Sequence, residues 1–309
     1  MNIIRDIKDY KSGIPTALTI GTYDGVHMGH QVILDKLLKT GKERDLSTTV
    51  VTFDPHPKQV VATDKYSGSI QILSTLDEKV EVFSALGIDT LIVIPFTIEF
   101  SKTNPEIFVK DVLCKSFGAK AIIIGYDHNF GKDREGNSQT LKSLGDECGF
   151  SVEIADPVSY NDEAISSTRI RKLLIDEGDV RLAGELLKRN YTVSGEVVRG
   201  KGIGKSLNFP TANISVQDEL KIIPKNGVYC VDVYREGIKY RGMSNIGIRP
   251  TFNGDKRTLE VHILMDKLED MYGDRIKIEF ISRIRDEKKF DSSDELVAQL
   301  EKDKIVCSV

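Results

Sequence analysis

The sequence predicts an α/β domain with a doubly wound, Rossmann-like parallel sheet, followed by an all-β antiparallel domain, a barrel or a sandwich, with a terminal helix. The chain has 309 residues, and chains beyond about 250 residues usually form more than one core. Apolar segments alternate with amphipathic helical segments up to Asn190, and strand-like segments with glycine-rich turns follow. We therefore expect domains over residues 1–186 and 187–309, with the boundary between residues 185 and 192.

The predicted strands of the first domain are apolar throughout, which is typical of a parallel sheet buried on both faces. In chain order they are ALTIG, STTVVTF, DTLIVIPF, AKAIIIG and FSVEIAD. Helices are predicted in HQVILDKLLKTGKER, LDEKVEVFSALG, residues 105–117, QTLKSLGDEC, SSTRIRKLLIDEG and DVRLAGELLKR. Because a doubly wound sheet binds its ligand at the carboxyl ends of its strands, we expect a site in the turns that follow them.

The second domain reads as a series of strands joined by glycine-rich turns, which is typical of an antiparallel barrel or sandwich. The strands are predicted in YTVSGEVVRG, GVYCVDVYREG, KYRGMSNIGI, TLEVHILM and DRIKIEFISRIR. A last helix is predicted in SSDELVAQLEKDK, with Ser292 or Ser293 as its N-cap.

Composition narrows the function classes. The net charge of −4 argues against nucleic acid as the main partner, because phosphate backbones require clustered positive charge. We expect no signal peptide, because the N-terminal segment MNIIRDIKDYKSG has no apolar core. We expect no membrane span, since no apolar run reaches about 18 residues. The four cysteines, at positions 114, 148, 230 and 307, form no C-x-x-C pair, so neither a zinc site nor a disulfide framework is predicted. We expect a cytoplasmic protein, a monomer or a weak homo-oligomer.

The turn GTYDGVHMGHQ, residues 21–31, joins the first strand to the first helix and is the first candidate site. His27 and His30 are three residues apart, which places both imidazoles on one side of an entering helical turn. Gly29 lets a phosphate approach the backbone, and the helix N-terminus offers free N–H groups. The alternatives are a surface turn with two incidental histidines, and a zinc site, for which no third ligand is evident.

The stretch GKGIGKSLNFPTAN, residues 200–213, raises the question of a P-loop. A P-loop has the pattern G-x-x-x-x-G-K-[ST] between a strand and a helix. Aligned on Gly204, the first glycine of the pattern falls on Arg199, and Pro210 would break the required helix. The sequence therefore predicts a phosphate-binding flap of another kind, or simply a mobile hairpin tip.

The first domain resembles a known family. The H-x-G-H of residues 27–30 is similar to the signature of the nucleotidylyltransferase superfamily. TFDPHP at 52–57, GYDHNFGKDREGN at 125–137 and ISSTRIR at 165–171 resemble the FAD synthetase module of the bacterial bifunctional riboflavin kinase/FMN adenylyltransferases. Tyr23 stands where phenylalanine is expected, and Ala164 stands where some relatives have a basic residue.

The second domain resembles the riboflavin kinase module of the same family, so the resemblance covers essentially the whole chain. For this domain it implies an antiparallel β-barrel with a terminal helix. The matching segments are GEVVRGKGIGKSLNFPTAN at 195–213, GVY at 227–229, NIGIRPTF at 245–252, LEVHIL at 259–264 and MYGDRIKIEFISRIRDEKKF at 271–290. Asn208 replaces the usual glycine before F-P-T-A-N, and asparagine tolerates a left-handed backbone better than most residues.

For the first domain the resemblance implies adenylyl transfer from ATP to FMN, with pyrophosphate released and His27 and His30 catalytic. It implies ATP or phosphate binding by Gly21, Asp24, Gly29, Ser167, Thr168, Arg169 and Arg171. It implies flavin or nucleotide contacts by His56, Asn129 and Asp133. The structural alternatives are that Ser166 or Ser167 is an N-cap beside solvated arginines, and that His56, Asn129 and Asp133 shape turns.

For the second domain the resemblance implies phosphoryl transfer from Mg²⁺·ATP to riboflavin, with Glu260 as general base. In TLEVHILM, Glu260 alternates with apolar residues and so points toward the expected site, although an exposed strand glutamate would look the same. Thr211 and Asn213 would bind Mg²⁺. ATP would contact Gly200, Lys201, Gly202, Gly204, Lys205 and Asn208, and the flavin would contact Phe209, Arg285 and Phe290.

The sequence therefore predicts an enzyme that makes FMN from riboflavin and then FAD from FMN, with ATP as co-substrate and Mg²⁺ as cofactor. One alternative is an adenylyltransferase whose second domain is a non-catalytic flavin-binding regulatory module. A second is a transferase of the same superfamily that acts on another phosphorylated or alcohol substrate. A third is a non-enzymatic flavin-sensing or RNA-binding regulator, which the acidic net charge disfavours.

Overall fold

The computed structural model describes residues 1–5, 7–8, 10–61, 70–132, 135–200, 204, 207, 209–251, 254–265 and 271–308. Five of the predicted site residues lie outside the described residues: Asp133, Lys201, Gly202, Lys205 and Asn208. The chain divides into two compact units, Met1–Ser166 and Ser167–Val309.

The first unit contains a six-stranded parallel sheet, which confirms the predicted fold class. The strand order is β1-β4-β3-β2-β5-β6, so the chain runs outward from β2 in both directions, as in doubly wound sheets. The strands are β1 (Asn2–Ile4), β2 (Thr16–Ile20), β3 (Ser47–Asp54), β4 (Thr90–Pro95), β5 (Ala119–Gly125) and β6 (Ser151–Ala155). The edge strand β1 is an addition to the predicted set.

The helices of the first unit lie close to their predicted positions. They are α1 (Met28–Arg44), α2 (Pro57–Val61), α3 (Leu76–Ala85), α4 (Ile98–Ser101), α5 (Pro105–Ile107) and α6 (Ser138–Cys148). The predicted helix over 105–117 begins as α5 and continues as a π-helix, Phe108–Ser116. A short hairpin, β7 (Ser159–Tyr160) with β8 (Glu163–Ala164), completes the unit.

The core of the first unit explains why its strands are apolar at every position. Leu18 and Ile20 of β2 belong to one buried cluster, and Ala17 belongs to another. Alternate residues of one strand thus enter different clusters, as expected when both faces are covered by helices.

The second unit begins with helical segments and continues as a closed six-stranded barrel in the order β10-β13-β12-β11-β14-β9. The helical segments are α7 (Ser167–Lys172), a π-helix (Leu173–Glu177) and α8 (Val180–Leu187). The strands are β9 (Tyr191–Val198), β10 (Ala212–Ser215), β11 (Gly227–Arg235), β12 (Ile238–Thr251), β13 (Gly254–Ile263) and β14 (Arg275–Arg285). Of the two predicted architectures, the barrel is the one formed. Strand β10, only four residues long, was not predicted.

The terminal helix α9 (Ser293–Ser308) packs on the barrel. The Ser292 hydroxyl accepts a hydrogen bond from the Glu295 N–H at 3.3 Å, so Ser292 is the N-cap. Near the other end of α9, Cys307 forms a disulfide with Cys230 of β11. The prediction of no disulfide was wrong. The two cysteines are 77 residues apart in the sequence, and only the fold brings them together. Cys114 and Cys148 are free thiols.

Among the helices of the described ranges, none has the length and apolar character that would let it cross a membrane.

Candidate functional sites

The turn after β2 has an unusual backbone. Tyr23, Gly25 and Val26 all have positive φ, at 49°, 88° and 40°. Such a φ is rare for a β-branched residue and costs of order 1–3 kcal/mol. Burial compensates for this, since Tyr23 and Val26 are at most 2% exposed. Strain of this kind, held in place by a packed core, often occurs at ligand-binding turns.

The contacts of the Tyr23 hydroxyl explain why this position has tyrosine in place of the expected phenylalanine. Its hydroxyl lies 2.5 Å from the Thr19 hydroxyl, which donates to the Ile123 carbonyl at 2.6 Å. A buried phenol requires such a partner. Burial raises the pKa of Tyr23, so the side chain is neutral and acts as a structural link between β2 and β5.

His27 and His30 lie together at the start of α1. His27 occupies the N-cap position without a side-chain cap bond. The two imidazole rings are stacked, with centroids 3.7 Å apart and planes 16° apart. A Cβ on Gly29 would lie 3.3 Å from His27 Nδ1, so glycine allows this ring to lie close to the backbone. The ring of Tyr23 packs edge-on against the ring of His30, with the two ring centroids 5.1 Å apart.

Asp24 is buried in the same turn and bonds to protein groups. Its Oδ1 accepts the N–H groups of Leu73 and Ser74 at 2.8 and 3.0 Å, and its side chain is 2% exposed. A buried carboxylate with backbone donors anchors the turn to the segment before α3.

Lys79 of α3 is a residue that the sequence analysis missed. Its ammonium group donates to the Thr22 carbonyl at 3.3 Å and to the Thr52 hydroxyl at 3.4 Å. Burial lowers the pKa of Lys79, while Asp24 and Asp54 oppose that shift. Lys79 thus links α3 to the turn after β2 and to β3. From the sequence, helical periodicity predicts only that Lys79 lies on an amphipathic helix.

The loops after β3 and β5 reach the same carboxyl edge of the sheet as the His27 turn. His56 Nδ1 accepts the Lys58 N–H at 3.1 Å, and the Asn129 amide donates to the Asp127 carbonyl at 2.9 Å. Both bonds shape local turns, and Asn129 is exposed.

A row of aromatic rings, also missed from the sequence, follows the same edge. Phe53 contacts Phe96 at 5.5 Å, Phe96 contacts Phe100 at 5.6 Å, and Phe100 contacts Phe108 at 5.8 Å. Phe53, Phe96 and Phe100 are half-buried. Half-exposed aromatic faces of this kind suit a flat aromatic ligand.

The remaining predicted phosphate residues lie on α7, in the second unit. Ser167, Arg169 and Arg171 are half-buried, and Thr168 is exposed. Gly21 lies at the end of β2, where a Cβ would be 3.0 Å from the Tyr23 ring.

The second unit contains a cavity of about 350 Å³ at one end of the barrel, a size typical of small-molecule sites. The cavity brings together seven of the predicted kinase residues: Gly204, Phe209, Thr211, Asn213, Glu260, Arg285 and Phe290. It is closed on one side by Leu296 and Leu300 of α9, which are one helical turn apart.

Strand register places the candidate catalytic groups side by side. Asn213 of β10 is paired with Glu260 of β13. The Thr211 hydroxyl donates to Glu260 Oε2 at 3.4 Å. Because residues i and i+2 of a strand share a face, Thr211 and Asn213 present two oxygens beside the Glu260 carboxylate.

The glycines of the flap lie in close contact with this group. A Cβ on Gly200 would collide with the Asn213 amide, and a Cβ on Gly204 would collide with the Phe209 carbonyl. The Phe209 N–H donates to the Gly204 carbonyl at 2.9 Å. Only glycine permits this close approach of the chain.

The guanidinium group of Arg285 forms an ion pair within the protein. Its Nε lies 3.0 Å from Asp303 Oδ2 and its Nη2 lies 2.7 Å from the same atom. Asp303 is 2% exposed, and the guanidinium lies 6.0 Å over the Phe290 ring. Arg285 therefore attaches α9 to the barrel at the edge of the cavity.

The two sites have distinct chemistry. A strained turn at the switch point of a parallel sheet and a barrel cavity lined by Gly204 and by Thr, Asn and Glu oxygens are typical of a two-site, nucleotide-dependent transferase. The FAD synthetase family model matches residues 10–169, and the riboflavin kinase family model matches residues 187–308. The chain belongs to the bifunctional riboflavin kinase/FMN adenylyltransferase family.

Relatives of full length support the same assignment. The bifunctional riboflavin kinase/FMN adenylyltransferase of Escherichia coli K12 is 37% identical over 289 residues, which cover 93% of this chain and 90% of that one. The Listeria monocytogenes protein of the same name is 36% identical and covers 96% and 92%. A crystal structure described as a macrolide-efflux protein from Streptococcus pneumoniae has a TM-score of 0.90 and 33% identity, with 99% and 98% covered.

Proposed function

We infer that this chain phosphorylates riboflavin to FMN in its C-terminal domain and adenylylates FMN to FAD in its N-terminal domain, with ATP as co-substrate in both steps. The observation that carries this inference is the presence of both family domains in one chain, each with a candidate site of suitable chemistry. We place the domain boundary at residues 186 and 187.

Adenylyl transfer requires positioning and charge neutralisation. An oxygen of the FMN phosphate attacks the α-phosphorus of ATP, and pyrophosphate leaves. Because the nucleophile is already an anion, no general base is required. The stacked imidazoles of His27 and His30 donate to phosphate oxygens, and the N-terminus of α1 adds backbone N–H groups. The aromatic row of Phe53, Phe96 and Phe100 would bind the flavin ring.

Phosphoryl transfer requires activation of a neutral hydroxyl. Glu260 accepts the proton of the ribityl hydroxyl as that oxygen attacks the γ-phosphorus of ATP. Thr211 holds the carboxylate in place through its 3.4 Å bond. Gly204, which lines the cavity, would let the phosphates approach the backbone closely.

Magnesium fits the oxygens of this site. Thr211, Asn213 and Glu260 line one cavity, and hard oxygen donors are the ligands that Mg²⁺ prefers. Within the described ranges no cluster of three or more His, Cys, Asp or Glu side chains could hold a metal. When bound, Mg²⁺ would neutralise the phosphate charge. Thr211 and Asn213 are its proposed protein ligands.

The use of ATP in both steps favours a cytoplasmic location. For the oligomeric state we propose a monomer or a weak homo-oligomer. A regulatory second domain is not favoured, because Thr211, Asn213 and Glu260 are all present and adjacent. A binding module would not need a carboxylate beside two metal-binding oxygens.

Product analysis with two variants tests the assignment. Wild-type protein with riboflavin and Mg²⁺·ATP should yield FMN and then FAD. Glu260→Gln should reduce FMN formation at least 100-fold, since general base catalysis contributes about 10²–10⁴-fold, and should leave FAD formation from added FMN unchanged. His30→Ala should have the opposite effect. If either variant, while folded, lost both reactions, the model of two separate sites would be wrong.

A further inference from the structure

His262 lies in the proposed kinase cavity beside Thr211 and Glu260, and it takes no part in the proposed proton transfer or Mg²⁺ binding. It follows Glu260 by two residues on β13, so the two side chains share a face. It lines the same cavity as Thr211 and Glu260. Its Nδ1 lies 2.8 Å from the Pro210 carbonyl oxygen, and its ring centroid lies 5.1 Å from that of Phe209.

The chain needs this bond because of Pro210. Strands β10 and β13 pair at Ala212 with Val261 and at Asn213 with Glu260. Proline has no N–H and cannot extend a strand ladder, so β10 begins only after it. The Pro210 carbonyl lies outside this ladder and accepts a hydrogen bond from the His262 side chain.

The bond acts directly on the residues proposed to bind Mg²⁺·ATP. Pro210 immediately precedes Thr211, whose hydroxyl meets Glu260 at 3.4 Å. The Pro210–Thr211 segment is therefore held at two points, by the His262 bond to the Pro210 carbonyl and by the contact of the Thr211 hydroxyl with Glu260. Loss of one point would let Thr211 move relative to Glu260, and displacements of about 1 Å can cost 10²-fold in rate.

The tautomer follows from the geometry. A carbonyl oxygen only accepts, so Nδ1 carries the hydrogen. Burial lowers the pKa of His262, which favours the neutral ring. In this neutral tautomer Nε2 carries no hydrogen, and the imidazole ring adds no positive charge to the cavity.

We propose that His262 is a positioning residue of the riboflavin kinase reaction: its Nδ1–H holds the Pro210 carbonyl and thereby sets the position of Thr211 against Glu260. This rests on the proposed kinase function of the cavity. It adds to that function a residue that acts through the Pro210 carbonyl.

Three substitutions separate a donor role from simple packing. His262→Asn retains an N–H donor at nearly the position of Nδ1. His262→Leu has the same branched shape without a donor. His262→Gln moves the amide one bond further along the side chain.

The assays are kcat and KM for Mg²⁺·ATP in FMN formation, the riboflavin dissociation constant from flavin fluorescence, the thermal midpoint, and FAD formation from added FMN. We expect His262→Leu and His262→Gln to lower kcat/KM for Mg²⁺·ATP about tenfold, the value of one hydrogen bond. We expect His262→Asn to stay within about twofold of wild type by the same reasoning. FAD formation from added FMN should not change, and riboflavin affinity should not separate the Leu variant from the Asn variant, since both lose the ring beside Phe209.

Equal activity of His262→Leu and wild type would overturn the proposal, and so would an equal loss in the Leu and Asn variants. If His262→Leu does not fold, the contrast between Asn and Gln decides. A wild-type protein that forms no FMN would instead refute the kinase assignment itself, which keeps the two failures distinguishable.

Discussion

Replacing Cys307 with alanine removes the covalent link between α9 and strand β11. The link closes a loop with a sequence separation of 77 residues, for which chain entropy alone predicts about 4.5 kcal/mol of stabilisation at 25 °C. Measured values often fall below this, so we expect a loss of about 2 to 4.5 kcal/mol. For a domain of this size the thermal midpoint should fall by about 5–15 °C.

Differential scanning calorimetry under oxidising conditions is the assay, and the transition of the C-terminal domain should be the one that moves. Reduced wild type should melt like the oxidised Cys307→Ala variant. The matched control replaces the free thiols Cys114 and Cys148 with serine and should leave the transition of the C-terminal domain unchanged. If oxidised wild type and Cys307→Ala melted within 1 °C of each other, or if unfolded oxidised protein titrated with four thiols, the account of the link would be refuted.

Two further substitutions test local features. Gly200→Ala would drive a methyl group into the Asn213 amide, so FMN formation should fall about tenfold or more, as for other displaced catalytic groups, while the rate of FAD formation from FMN should be unchanged; equal FMN rates would contradict the contact. Tyr23→Phe removes the 2.5 Å bond to Thr19 and should destabilise the N-terminal domain by about 0.5–1.5 kcal/mol in urea unfolding, and an unchanged midpoint would show that the hydroxyl contributes nothing.

The fold was largely predictable because its signals are local. Apolar strands and amphipathic helices in alternation identify the parallel sheet, since each element carries its own period. Strand β10 was missed because four residues, ANIS, are too short for a period to show. The choice between barrel and sandwich depends on whether β9 pairs with β10, which is a long-range contact.

The candidate sites were predictable where a motif is contiguous. His27, Gly29 and His30 occupy one turn, and Thr211 and Asn213 occupy one strand start. Lys79 and the aromatic row were missed because their members come from separate elements that only the folded sheet brings to one edge. The Cys230–Cys307 disulfide was missed for the same reason.

Strand β10 has a consequence for how this enzyme can be studied. The four residues Ala212–Ser215 both seal the barrel, between β9 and β13, and bring Asn213 to Glu260. A molecule whose barrel has not closed cannot bring together the residues of the proposed kinase centre. The rate of FMN formation during refolding should therefore rise with the fraction of closed barrels, which would report barrel closure without any attached label.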